Sequence, residues 1–265
     1  MRPLSILFIV LSIFLCCSCE KVISVHLNNS APQYVIVGNI TNEPGVCQVS
    51  ITQTKDFSDD NTFPGITGAT VTVENNGAVT QLTESGNGNY QAGTITGKPG
   101  DTWHLTVKIG SQVFSATSTM PQPVNMDTIY VTTERLSDNK NITAVYKDPP
   151  GVQNYYRFVQ YLNDKKEKSI FVRNDELTDG QTIKAPLDFS NNTDDSTRDI
   201  KSGDEVRIEM LCIDADVYKY WNSLDEGSTG DNQSASPANP VTNISGGALG
   251  YFSAHTIQRK TLRVP

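Results

Sequence analysis

The sequence predicts a mainly β protein: two β-sandwiches in series, with one short helix in the second. Short apolar/polar alternations separated by Gly, Asn and Pro turns fill most of the chain, a Pro-rich stretch sits near its middle, and a single segment has helical apolar spacing.

The first sandwich is expected over residues 33–120. Tyr34-Val35-Ile36-Val37-Gly38 is a compact β-branched run. Val46-Cys47-Gln48-Val49-Ser50-Ile51-Thr52 and Ala69-Thr70-Val71-Thr72-Val73 alternate apolar with polar, as strands with one buried face do. Asn76-Gly77, the Gly86 to Gly88 stretch and Pro99-Gly100 supply turns between further strands around Val79 to Leu82, Tyr90, and Trp103 to Val107. Gly110-Ser111 suits a two-residue hairpin leading into Val113 to Ala116. About seven short strands in roughly ninety residues indicate an immunoglobulin-like sandwich.

Met120-Pro121-Gln122-Pro123-Val124 marks a linker over 121–126, and a second domain is expected over 127–265. Its strands are read around Thr128 to Thr133, Ile142 to Tyr146, Tyr155 to Tyr161, Ser169 to Val172, and Val206 to Ile213. The turn Asp148-Pro149-Pro150-Gly151, followed by the aromatic strand Tyr155-Tyr156-Arg157-Phe158, gives this half a fibronectin type III-like pattern. Val217, Tyr220, Trp221 and Leu224 recur at spacings of three and four, which predicts a helix near 215–224 whose apolar face packs on the sandwich. Asp225 to Asn243, rich in Ser, Gly, Asn and Asp, is expected to be a long loop.

The N-terminus carries a different message. After Arg2, an apolar run from Leu4 to Leu15 is about a dozen residues long, short of the roughly 20 needed to span a bilayer, so residues 1–18 read as a signal peptide. Cys16-Cys17-Ser18-Cys19-Glu20-Lys21 resembles the lipobox of bacterial lipoproteins, with Cys19 as the lipidated first residue of the mature chain. Cys16 and Cys17 are competing positions, and an ordinary secretory signal is the alternative. Several acyl chains on one residue would anchor the protein stably, with residues 19–32 as a tether.

Removing residues 1–18 takes away only Arg2 among charged side chains, so the formal charge of −8 becomes about −9. An acidic chain without a basic cluster neutralises few phosphates, which argues against nucleic acid as a partner. Cys47 and Cys212 sit in strand-like sequence and read as buried thiols, although a disulfide is chemically permitted outside the cytoplasm.

Several phrases together carry a family resemblance. They are Cys19-Glu20-Lys21-Val22-Ile23, Val35-Ile36-Val37-Gly38-Asn39-Ile40-Thr41, Phe57 to Phe63 ahead of Gly68-Ala69-Thr70-Val71, Ser118-Thr119-Met120-Pro121, Tyr155-Tyr156-Arg157, and Asn243 to Phe252. The chain resembles the Bacteroidota lipoproteins catalogued as domain of unknown function 4249. That resemblance implies an outer-membrane lipoprotein encoded beside TonB-dependent receptors, with no established catalytic residues and either face of the membrane open.

Candidate sites are few. His26, His104 and His255 have no spacing that puts two on one metal, and neither HExxH nor CxxC occurs. Asp56, Asp59 and Asp60, with Asn61, offer the hard oxygen ligands calcium prefers, as do Asp194, Asp195 and Asp199; a solvated acidic loop is the plainer reading of each. Without a GxSxG elbow or a Cys–His arrangement, neither catalysis nor a cofactor is expected. Tyr218, Tyr251 and Phe252 are the ligand-binding candidates, and Tyr218, off the apolar stripe, is expected to face outwards. Asp127-Thr128-Ile129 and Asp195-Ser196-Thr197 resemble a short O-glycosylation pattern, which marks Thr128 and Ser196. The expected role is that of an accessory or binding lipoprotein for a TonB-dependent transporter. A structural or adhesive envelope protein and an envelope hydrolase are the alternatives.

Overall fold

Turn residues close the strands where the local chemistry demands it. In the computed structural model, which describes residues 31–55, 62–133, 140–189, 200–229 and 239–265, the first half contributes eight strands. These are β1 (Tyr34–Thr41), β2 (Cys47–Gln53), β3 (Thr70–Asn75), β4 (Ala78–Gln81), β5 (Thr83–Gly86), β6 (Asn89–Gln91), β7 (Thr102–Ile109) and β8 (Gln112–Thr119). After Pro121 to Pro123 come β9 (Met126–Thr133), β10 (Lys140–Lys147), β11 (Tyr155–Leu162), β12 (Lys165–Lys166), β13 (Phe171–Asn174), β14 (Thr182–Leu187) and β15 (Glu205–Ile213). Helix α1 (Ala215–Thr229), β16 (Ile244–Ser245) and β17 (Leu249–Arg263) complete the chain.

Asn76-Gly77 joins β3 to β4 with φ of 49° and 81°, the left-handed pair that matches the twist of a tight hairpin. Gly110-Ser111 joins β7 to β8, where Ile109 and Gln112 face each other. The Asn163-Asp164 turn between β11 and β12 has the same left-handed character, with φ of 49° and 63°.

The strands form three sheets. The largest runs β12-β11-β15-β17-β1-β2-β6-β5, with β13 also on β11; a five-stranded sheet runs β16-β8-β7-β3-β4, and a three-stranded one β14-β10-β9. Ile36, Ile40, Val49 and Ile51 of the large sheet pack with Val71, Val73, Leu105 and Val107 to make a first core. Tyr156, Phe158, Ile208 and Met210 pack with Ile142, Ala144, Tyr146 and Leu187 to make a second. The protein is therefore mainly β, with sandwich packing and one helix among the described residues.

The separation expected between residues 33–120 and 127–265 is corrected by β17. This 15-residue strand pairs in parallel with β1, from Val35↔Leu249 to Thr41↔His255, and then antiparallel with β15, from Cys212↔Thr256 to Glu205↔Arg263. Phe252 and Ala254 lie in the first core and Val264 in the second, within one compact unit from Pro32 to Pro265. Parallel pairing of distant segments leaves no local signature, because it needs no hairpin between the partners.

Two boundaries also move. The helix continues past Leu224 to Thr229, taking the start of the expected loop, and the strand expected at Ser169 begins at Phe171. At the other end of that loop, Asn243 acts like a strand residue. Its Nδ2 donates to the Phe252 carbonyl at 2.8 Å, and its Oδ1 accepts from the Phe252 amide at 2.9 Å. Cys47 and Cys212 are buried free thiols, one in each core. Burial pushes the Cys47 thiol up to about 12.

Candidate functional site: a helix-covered face of the large sheet

Strand alternation divides the large sheet into two faces. With Tyr156 and Phe158 turned into the second core, Tyr155, Arg157, Val159 and Tyr161 of β11 take the opposite side. There Val159, Leu211 and Ile213 meet Tyr251 of β17 and Val217 of the helix in a third apolar cluster. Asp214 fixes where the helix starts, accepting the Val217 amide at 2.9 Å and the Ser118 hydroxyl on its other oxygen. Aromatic contacts seat the helix: Tyr220 and Trp221 lie 4.8 and 5.2 Å from the Tyr251 ring.

Among these rings is one cation. The Arg157 Cζ stands 3.4 Å from the centroid of the Trp221 ring. Its Nε is buried without a hydrogen-bond partner, as is the Trp221 Nε1, and Arg157 has no ion pair among the described residues. Burial draws the Arg157 pKa down from its usual value. Glu209 is engaged elsewhere, accepting from Arg259 Nε at 2.7 Å and from the Tyr161 hydroxyl at 3.3 Å. A cavity of about 370 Å3 opens beside Arg157, walled by Trp221 and Leu224 of the helix and by the segment from Lys166 to Ile170. Lys166 feels the same environment, its pKa lowered by burial and then by the Arg157 charge.

A second concavity, about 320 Å3, lies farther along this face over Asn39, Gln48, Ser50, Asn89 and Gln91. Tyr251 lies on the same face, its pKa raised by burial against the opposing effects of the Arg157 charge and then of a hydrogen bond with the Asn39 side chain. Farther along β17 His255 is buried, its Nδ1 2.9 Å from the Ser253 hydroxyl. Burial and the Arg157 charge depress the imidazole to about 3. This serine–histidine pair is sealed from solvent and does not present a nucleophile.

The residues singled out from sequence do not form one site. Tyr218 is half-buried rather than outward-facing, its ring 5.1 Å from Tyr155 and its hydroxyl 3.4 Å from Asn174 Nδ2. Tyr251 is buried beneath the helix and Phe252 is fully buried in the first core, so neither offers a free binding surface. As neighbours on a strand they necessarily point to opposite faces. Thr128 is exposed on β9. His104 and His255 lie apart, His104 on β7 bonded to Thr117 at 2.9 Å. Cys19, Asp56, Asp59, Asp60, Asp194, Asp195, Ser196, Asp199 and His26 lie outside the described residues.

Sequence reasoning missed Arg157, although a lone arginine in an aromatic strand was a visible signal. It also missed Asp148, Asp175 and Asp179, whose carboxylate oxygens lie within 4.8 Å of one another. These aspartates clamp two loops. Asp148 accepts from the Gly180 amide at 3.1 Å and from the Tyr156 hydroxyl, while Asp175 and Asp179 each accept at 2.8 Å, from the Asn154 and Gly151 amides.

Fold and face together define a β-sandwich protein with a cavity of small-molecule size under its helix. The chain belongs to the family described as domain of unknown function DUF4249, whose model matches residues 20–261. No curated protein matches it. No helix among the described residues is long and apolar enough to cross a membrane.

Proposed function

We propose that this protein is a non-catalytic, lipid-anchored outer-membrane component that binds on behalf of a TonB-dependent transport system. The observation that carries the binding role is Arg157, a cation with a buried, unpartnered Nε at the wall of a ligand-sized cavity. Arg157 stacks on Trp221 but makes no ion pair among the described residues, so an anion in the cavity would supply the charge-assisted partner it lacks. Anchoring is supported by the apolar run from Leu4 to Leu15 and by Ser18-Cys19 after it. The transporter connection rests on the family resemblance, which is association rather than mechanism.

Affinity purification of the lipidated protein from native membranes tests the role. The expected result is recovery of an outer-membrane transporter above the level found with an unrelated lipoprotein. Recovery of no transporter overturns it and favours a structural or adhesive envelope role.

A further inference from the structure

We propose that the cavity between helix α1 and strand β11 binds a small amphipathic anion, its carboxylate or phosphate held by the outer guanidinium nitrogens of Arg157 and its apolar part lying on Leu224 and Ile170. This rests on the reading of the protein as a binding component and names the chemistry of what it binds.

Three features of the cavity converge on that chemistry. Donors without acceptors come first: Arg157 lines the cavity and makes no hydrogen bond or ion pair among the described residues, and its outer guanidinium nitrogens, unlike Nε, are not sealed from solvent. Stacking on the indole attracts the guanidinium but satisfies none of its N–H groups, which lie in the plane of the cation rather than toward the ring. An anion supplies the missing acceptors, and charge-assisted hydrogen bonds are the strong ones.

The local charge points the same way. Arg157, Lys166 and Lys168 line the cavity against one carboxylate, Glu167, in a chain whose formal charge is −8. Neither lysine makes an ion pair among the described residues. A cationic mouth on an acidic protein draws anions that the rest of the surface repels.

The remaining walls set the ligand's other half. Val159, Ile170, Trp221 and Leu224 are apolar, and a cavity of about 370 Å3 exceeds what a bare inorganic anion fills. A ligand with a charged head and a short apolar body uses both kinds of wall. A charged head bound without such a body would leave apolar surface wet.

Titration of the purified, lipidated full chain in neutral detergent tests the proposal, read by calorimetry and by the melting temperature. The probes are inorganic phosphate, acetate and hexanoate, each against chloride at equal ionic strength. Saturable binding is expected for hexanoate, at least about tenfold tighter than for acetate because its longer tail is buried. Tighter binding of phosphate than of acetate would assign the head group to phosphate, and the reverse order to carboxylate. Arg157→Gln should weaken the favoured anion by at least about tenfold and abolish its effect on the melting temperature. If Arg157→Gln does not fold, Lys166→Gln removes an exposed cation from the cavity mouth while leaving the packed residues in place, and should weaken binding several-fold. Absence of saturable binding for all three probes overturns the proposal, as does hexanoate binding no tighter than acetate, or unchanged affinity in a folded Arg157→Gln or Lys166→Gln variant. Anion binding that fails while a transporter still co-purifies discards the pocket and leaves the role standing. Anion binding without a transporter retains the pocket and discards the transport role.

Discussion

Gly250 and Ile36 are register partners in the parallel β1–β17 ladder, and a Cβ built on Gly250 would stand 2.0 Å from the Ile36 carbonyl oxygen. Gly250 also has φ of 96°, a conformation that side chains disfavour. This ladder welds the two halves of the chain into one sheet, so its closest backbone approach is a structural requirement.

Gly250→Ala should cost about 3 kcal/mol or more, from a backbone clash added to an unfavourable φ. Gly68→Ala is the control: its φ is also positive, at 74°, but nothing lies within 4 Å of the added Cβ. It should cost about 1–2 kcal/mol. Urea unfolding of both variants checks the difference; equal losses would show that the close approach relaxes freely.

The Asp214 carboxylate links the helix to the first core. It caps the Val217 amide at 2.9 Å and receives the Ser118 hydroxyl, and Ser118 in turn accepts the Ala254 amide at 2.8 Å. Asp214→Ala should cost about 2 kcal/mol, combining a lost cap with a lost partner for a buried hydroxyl. Asp214→Asn, which keeps an acceptor for the cap, should lose less than half of that in the same denaturation experiment.

His255 gives stability a pH dependence of known sign. The unfolded imidazole takes up its proton near pH 6.5, whereas burial and the Arg157 charge delay this to about 3 in the folded protein. Between those values the unfolded chain binds more protons, so stability falls as pH falls. From pH 7 to pH 5 this one group should remove about 2 kcal/mol. The wild-type protein should lose about that much more than His255→Gln over the interval, and parallel losses would show that His255 titrates normally.

Hairpins were readable from sequence because their chemistry is local: Asn76-Gly77 and Gly110-Ser111 specify their turns within a few residues. Helix α1 was readable from its stripe, as Val217 confirms by its burial. The union of the halves was not. Pairing Val35 with Leu249 depends on a partner at the other end of the chain, and nothing local to β17 specifies which strands it joins. Arg157 shows the limit for sites. Its residue type was visible, but the face it takes and the indole it meets are fixed only by tertiary packing. Tyr251 and Phe252 were binding candidates for the converse reason, since sequence alone does not show the helix or the sheet that covers them.

Membrane anchoring in the proposed role depends on Cys19 being the lipidated N-terminus. Mass spectrometry of the mature protein from its own membranes, with a clickable palmitate label, reads this directly. The prediction is a chain beginning at acylated Cys19, with label and membrane retention both abolished by Cys19→Ala. An unmodified N-terminus, or label that persists in Cys19→Ala or resides on Cys16 or Cys17, would contradict it.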